Sequence, residues 1–354
     1  MNRRLIASVI AATGLAALTL TPAAAHPQHV RPATTAIYGS GSSFDNPLYS
    51  AWSAHYSAAS IRYQSLGSGT GQSQLNSKLT DFGAYDVPML STDGFANFSR
   101  ITQFPITLGG VAIEYNLPHY TAGSLRLTGP LVCAIYEGQI TKWTDSKLTK
   151  LDPGLKHLKG QSDEKITVVH RSDSSGTTYI FTDWLSHTCS SWKSKFGASK
   201  LPAWPVGLGG SHSTGVDSYV NSTPGAIGYV EVTYAMQNNK TPAYIENKAK
   251  QYLQPTLKGV GADAAQVKKI TTTKFSIVNE KGKNSYPISG FSWSGIYTKG
   301  SDWPHGTSVC KATVAFFKWA TTNGQKYGAP PLDYVKLPKE VAKYAKTQLA
   351  KVKC

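Results

Sequence analysis

Signatures of catalysis are missing from this 354-residue chain. It has no Gly-x-Ser-x-Gly elbow to expose a serine nucleophile, no His-Glu-x-x-His pair and no Walker lysine. Its nine histidines are scattered, and no two histidines or cysteines have the spacing of metal ligands, which excludes a zinc site. Charged residues make up only 16% of the chain, and no Lys/Arg block is interleaved with aromatics, which excludes a nucleic-acid platform. There is no fixed-period repeat and no low-complexity block, so solenoid and linker architectures fall away. Long apolar runs are also wanting. The one candidate, Leu5 to about Leu20, is too short and too weakly flanked for a stable membrane span.

That run follows Arg3-Arg4 and precedes Ala23-Ala24-Ala25, the pattern of a secretory signal peptide over residues 1–25. No cysteine lies near the cleavage position, so the expected product is exported, periplasmic or secreted and envelope-associated, without a lipid anchor. The remainder is long enough for two domains with separate cores. The net charge is +16, of which Arg3 and Arg4 supply two, and such a field attracts anions.

Residues 26–37 are polar and read as a flexible lead-in. Strands follow at Ala36–Tyr38, Ile61–Leu66 and Asp81–Asp86, with helices opening at Asn46-Pro47 and after Gly71. Strand then alternates with helix, which predicts an α/β fold of largely parallel sheet. Ile106–Asn116 and Tyr286–Ile296 read as crossings between domains. The expected division is a discontinuous first domain, 38–110 plus 288–354, and a second domain, 111–287. Further helices are expected over Leu131–Tyr136, Phe181–Thr188, Val309–Ala320 and Lys339–Lys353, whereas Tyr252–Ile277 gives little signal. Four cysteines in an exported chain favour two disulfides, with three connectivities open. Cys133–Cys189 and Cys310–Cys354 are preferred, because each pair falls within one expected domain.

In open α/β sheets, ligands bind at the carboxyl ends of strands, against helix N-termini. Three loops fit that position: Gly39–Phe44, Gly67–Gly71 and Arg171–Thr177. Each joins glycine, which lets a ligand approach the backbone, to hydroxyls that can donate to an oxyanion. The third loop runs from a strand at Ile166–Val169 to a helix expected near Tyr179, and it adds the guanidinium of Arg171. Asp86, at the end of the third strand, narrows the ligand. Phosphate near neutrality still carries a proton that a carboxylate can accept, whereas sulfate has none and meets only repulsion. His170 neighbours Arg171 in sequence but points to the opposite face of its strand, and is read as a strand-end residue.

At these residues the chain resembles the substrate-binding proteins of the bacterial phosphate-specific ABC transporter. The resemblance lies in Gly39-Ser-Gly-Ser-Ser-Phe44, Tyr63-Gln-Ser-Leu-Gly-Ser-Gly69, Asp81-Phe-Gly-Ala-Tyr-Asp86, Ile140-Thr-Lys-Trp143, Val168-Val-His-Arg-Ser-Asp-Ser-Ser-Gly-Thr177 and Pro224-Gly-Ala-Ile-Gly-Tyr-Val-Glu231. It extends over roughly Tyr38 to Ala350. It implies a two-domain, type II periplasmic-binding-protein-like fold, each domain a mostly parallel sheet flanked by helices, with ligand in the interdomain cleft. It also implies inorganic phosphate as ligand, a transmembrane permease of a phosphate ABC transporter as partner, a monomer, no cofactor and no metal. Carried over by position, phosphate would be bound by Ser43, Phe44, Ser68, Asp86, Arg171, Ser175, Gly176 and Thr177, with Asp173 holding Arg171 in place. Four positions depart from the family pattern. Ser43 stands where threonine is frequent, Asp45 where proline is usual, Tyr85 where the residue is small, and Ser174 where glycine is found.

The leading reading is therefore a non-enzymatic receptor that closes by hinge bending around one dehydrated phosphate. The alternatives are a secreted phosphatase-type hydrolase on the same scaffold and an envelope-binding protein that uses its basic surface.

Overall fold

The computed structural model describes residues 34–354 apart from positions 239 and 330. The expected signal peptide and most of the lead-in lie outside the described residues. Alternation of strand and helix produces a sheet of eight strands. In chain order the strands of the protein are β1 Ala36–Gly41, β2 Ser60–Ser65, β3 Phe82–Tyr85, β4 Ile101–Tyr115 and β5 Arg126–Leu127. They continue with β6 Thr167–Arg171, β7 Leu208–Gly210, β8 Ala226–Glu231, β9 Tyr244–Glu246, β10 Tyr252–Leu253 and β11 Ser289–Tyr297. The large sheet has the order β2-β1-β3-β11-β4-β8-β6-β7, and β10-β9-β5 form a small second sheet.

β1 pairs in parallel with β2 and β3, and β6 pairs in parallel with β7 and β8, as strand–helix–strand alternation requires. The antiparallel strands are the two that link these groups. β4 pairs with β11 through Ile101–Gly110 and with β8 through Val111–Tyr115. One 15-residue strand, roughly 50 Å long, therefore serves both ends of the sheet. It is buried over all but its last residue, as expected for a strand covered on both faces. Pro105 cannot donate to a ladder, and it lies where the β4–β11 register shifts, between the Thr107–Ser292 and Pro105–Trp293 pairs.

Several elements differ in extent from the sequence expectation. β1 begins at Ala36, as expected, but runs on to Gly41. The strand read as Ile166–Val169 runs Thr167–Arg171, and the following helix starts at Gly176, not near Tyr179. The reason is Ser175, whose Oγ accepts from the Thr178 amide at 3.2 Å and caps the helix two threonines earlier than propensity suggests. The weakly patterned stretch contains β10 and a helix, Leu257–Ala264. The expected division at 110/111 falls within β4, and that at 287/288 falls just ahead of β11.

Both preferred disulfides are present. Cys133–Cys189 ties helix Gly129–Tyr136 to the end of helix Gly176–Thr188. Cys310–Cys354 ties the C-terminus to helix Thr307–Ala320, which buries Val309, Thr313, Phe316, Phe317 and Ala320 against the sheet.

Candidate functional site

The loops that follow β1, β2, β3 and β6 converge at the carboxyl ends of their strands, each leading into a turn or helix. After β1 the chain turns at Gly41, whose φ of +144° and contact with the Ala84 carbonyl leave no room for a side chain. Ser42, Ser43 and Phe44 follow, all buried. The Phe44 amide donates to Ser42 Oγ at 3.1 Å, and Ser42 Oγ donates to Asp86 Oδ2 at 2.7 Å. From the second loop Ser68 Oγ reaches the same oxygen at 3.3 Å.

Asp86 is 1% exposed and its Oδ1 has no hydrogen-bond partner. Burial pushes its pKa up to about 6, against the pull of the Ser42 and Ser292 hydroxyls, the Arg171 charge and Ser68. It is thus ionised at neutral pH yet short of one donor, the condition under which a protonated oxyanion is a good partner.

Arg171, at the end of β6, is also 1% exposed. Asp173 holds it in a two-point fork, Nε to Oδ1 at 2.7 Å and Nη2 to Oδ2 at 2.5 Å. Asp173 also accepts from the His212 amide at 3.0 Å. Burial alone would raise the Asp173 carboxyl, but the hydrogen bonds and charge of Arg171 outweigh it and hold the group below the usual range. Nη1 is left to meet Ser213 Oγ at 3.3 Å. The expected pairing of Arg171 with Asp173 therefore exists in the interior, where it fixes the guanidinium plane.

Ser175, Gly176 and Thr177 form the start of helix Gly176–Thr188, where free amides and the positive end of the helix dipole favour an anion. The Gly176 amide donates to Ser68 Oγ at 3.1 Å, bringing the third loop onto the second. A Cβ at Gly176 would lie 2.5 Å from the Asp86 Cβ and 2.7 Å from Ser68 Oγ, so only glycine permits this approach. Thr177 Oγ1 is buried without a partner. The structure thus brings all eight expected residues and Asp173 to one buried locus.

Two contributors escaped the sequence reading. Ser213, at the start of helix His212–Ser222, shares a hydrogen bond with Ser43 Oγ at 2.9 Å, and its amide donates to the same oxygen at 3.3 Å. Its signal was a fourth Gly/Ser stretch, Gly209-Gly210-Ser211, whose glycines end a strand of only three residues. Ser42 lies within the Gly39–Phe44 loop, where no role was expected for it. The departing residues also find places. The Tyr85 hydroxyl points away from Asp86, against Gly295 of β11, and Ser174 offers its carbonyl to the Gly69 amide at 3.0 Å. His170 stacks on Trp204 with centroids 4.7 Å apart, and burial lowers its pKa. Its ring is therefore turned from the cluster, as the strand alternation implied.

A groove of about 620 Å³ with Lys268, Lys269 and Lys274 on its wall shares Tyr179, Asp183 and Phe275 with a narrow crevice that reaches Asp86. Chemically, the cluster offers hydroxyl, amide and guanidinium donors around one carboxylate acceptor.

A family model described as a PBP superfamily domain matches residues 26–323. Among curated proteins, the chain is 41% identical over 312 residues to a phosphate-binding protein PstS of Xylella fastidiosa, covering 87% of this chain and 83% of that protein. It is 39% identical over 317 residues to the phosphate-binding protein PstS of Haemophilus influenzae, covering 88% and 92%. Among solved structures, a high-affinity periplasmic phosphate-binding protein, PfluDING, determined with phosphate bound, aligns with a TM-score of 0.69 at 20% identity. That alignment covers 88% of this chain and 93% of the other, and it shows a shared fold.

Proposed function

The chain belongs to the PstS phosphate-binding proteins of the PBP superfamily, and on that premise we propose that it captures inorganic phosphate outside the cytoplasmic membrane and delivers it to an ABC permease. The observation that carries the proposal is Asp86, a buried carboxylate with an unpaired oxygen set among donors from both ends of the sheet. Phosphate would receive hydrogen bonds from Ser43, the Phe44 amide, Ser68, Arg171, Ser175, Gly176 and Thr177, and its own O–H would donate a hydrogen bond to Asp86. The charge of Arg171 is matched by Asp173, so affinity rests on aligned donors more than on net charge. Each donor must replace a hydrogen bond to water, and only a fully aligned set recovers the dehydration cost of the anion.

The two groups of strands joined by β4 and β11 act as lobes that close by bending at these crossings. Closure places Gly176 of one lobe against Ser68 and Asp86 of the other, and phosphate supplies the differential free energy that favours it. The closed monomer is the form that docks on the permease. The relatives are named as binding proteins, and His170 stacks on Trp204 instead of facing Ser175.

Calorimetric titration tests the reading. One tight phosphate site and at least about 1000-fold weaker sulfate binding are expected, because one unrelieved charge contact is worth several kcal/mol in a buried site. Arg171→Ala should abolish measurable phosphate binding. Equal affinity for the two anions would remove Asp86 from its role, and turnover of a phosphate ester that vanishes in Ser175→Ala would replace the receptor with an enzyme.

A further inference from the structure

The residue that follows the first phosphate loop is Asp45, and it is fully buried. It stands ahead of helix Asn46–His55, where an acidic side chain ordinarily caps the helix, yet it makes no capping hydrogen bond. Pro47 removes one of the amides it would have bonded. The carboxyl turns instead to β11, where Oδ2 meets Ser292 Oγ at 2.5 Å, while Oδ1 has no partner. Ser292 lies at the irregularity of the β4–β11 pairing, and bulges re-aim side chains in this way near functional sites. The charge of Asp86 also acts on Asp45, so the site holds two interacting buried acids.

The surroundings offer Asp45 little that would tolerate a negative charge. Tyr49 from helix Asn46–His55, Tyr63 from β2 and Tyr334 from the C-terminal region bring phenols toward it. Arg171 and Glu231 act on Asp86 from β6 and β8. Burial and the Asp86 charge push the Asp45 carboxyl well above the usual range, opposed only by the Ser292 hydrogen bond.

We infer that Asp45 is a proton-carrying positioning residue of the phosphate site, a neutral carboxylic acid held by Ser292 directly after Phe44 of the first loop. The inference rests on the phosphate-binding reading above. The step it describes is protonation of the Asp45 carboxylate by solvent when phosphate binds. The new O–H donates to Ser292 Oγ, reversing the hydrogen bond in which Ser292 donates to Asp45 Oδ2. Asp86 thereby keeps its charge and its role as acceptor, and phosphate meets one negative carboxylate instead of two. Because the charge of the bound anion raises the Asp45 pKa further, binding takes up a proton at any pH between the values without and with phosphate. Affinity then falls as pH rises through that window, by up to about tenfold per pH unit for one proton.

The test is calorimetric titration of the full exported chain with inorganic phosphate, from about pH 5.5 to about pH 9 and in buffers of different ionisation enthalpy. Wild type is compared with Asp45→Asn, and with Asp45→Ala should the first variant fold poorly. Phosphate's own titration is common to all three proteins and cancels in the comparison. The expected result is a steeper alkaline loss of affinity in wild type and uptake of up to about one proton more than the variant. The variants should bind at least as tightly at the alkaline end. Identical pH slopes and proton counts would overturn the inference, as would loss of binding at every pH in a folded variant. Absence of phosphate binding in the wild type would defeat the functional reading itself.

Discussion

A single hydrogen at Gly176 decides how near the loop after β6 can come to Asp86. Its Cα lies against Asp86 and Ser68 so tightly that any Cβ would meet them well inside van der Waals contact. The backbone elsewhere in this turn is ordinary helix, so alanine there is tolerated in the open form and its cost appears on closure. Gly176→Ala should therefore weaken phosphate binding by about 100-fold or more, consistent with the 1–3 kcal/mol or greater cost of overpacking. The melting temperature without ligand should stay within a few degrees of wild type, read by circular dichroism. Retained affinity would mean that the bound form is wider than the one described. Gly176 was legible in sequence because Ser-Gly-Thr after a strand is a strong sign of an oxyanion-binding helix start. Ser213 was not, because its Gly/Ser stretch belongs to a strand too short for alternation to mark it. Asp45 was legible as a charge beside the site, but its burial depends on β11, which is more than two hundred residues away in the chain.

Among the elements, the paired crossings and the disulfides have the largest consequences. The apolar stretch that becomes β4 announced a crossing, since a strand covered on both faces reads as a continuous hydrophobic run. Its antiparallel pairing with β11 and β8 was hidden, because pairing partners distant in sequence leave no local trace. The bulge beside Pro105 was equally hidden, although proline within a central strand is the feature that demands one. The short β9 and β10 lack enough residues for period-two alternation to be read. The disulfides close loops with sequence separations of 56 and 44 residues. Loop-closure entropy gives each about 4 kcal/mol, the shared estimate for loops of this length. Replacing both Cys310 and Cys354 by serine should lower the unfolding free energy by roughly that amount in urea titration. Phosphate affinity should change little, since the bridge ties the C-terminus to helix Thr307–Ala320, away from the loops. A stability loss below about 1 kcal/mol would show that the C-terminal segment is held by packing alone.

Across the whole molecule, a net charge of +16 coexists with an interior unusually rich in acids. Asp45, Asp86, Glu114, Glu231 and Asp263 are all buried, and burial pushes each of their pKa values up. Glu114 on β4 is a useful probe because it lies outside the phosphate cluster. Burial, aided by Asp217 and opposed by Lys240, pushes its pKa up to about 8 from an ordinary value of 4.5. The sign of the effect on stability follows from proton binding. Between those two values the folded protein holds a proton that the unfolded chain has released. The contribution of Glu114 is therefore fully present below about pH 4.5 and is lost as pH rises toward 8. In that window the slope for one proton is about 1.4 kcal/mol per pH unit. Wild-type unfolding free energy, measured by urea titration in phosphate-free buffer, should decline more steeply from about pH 5 to about pH 8 than that of Glu114→Gln. The variant keeps the shape and the hydrogen-bonding capacity of the neutral acid, so it should be the more stable protein at the alkaline end. Acids that the two proteins share contribute equally to both curves, which leaves their difference to Glu114 alone. Parallel curves would mean that Glu114 is ionised in the folded protein and that Lys240 compensates its charge.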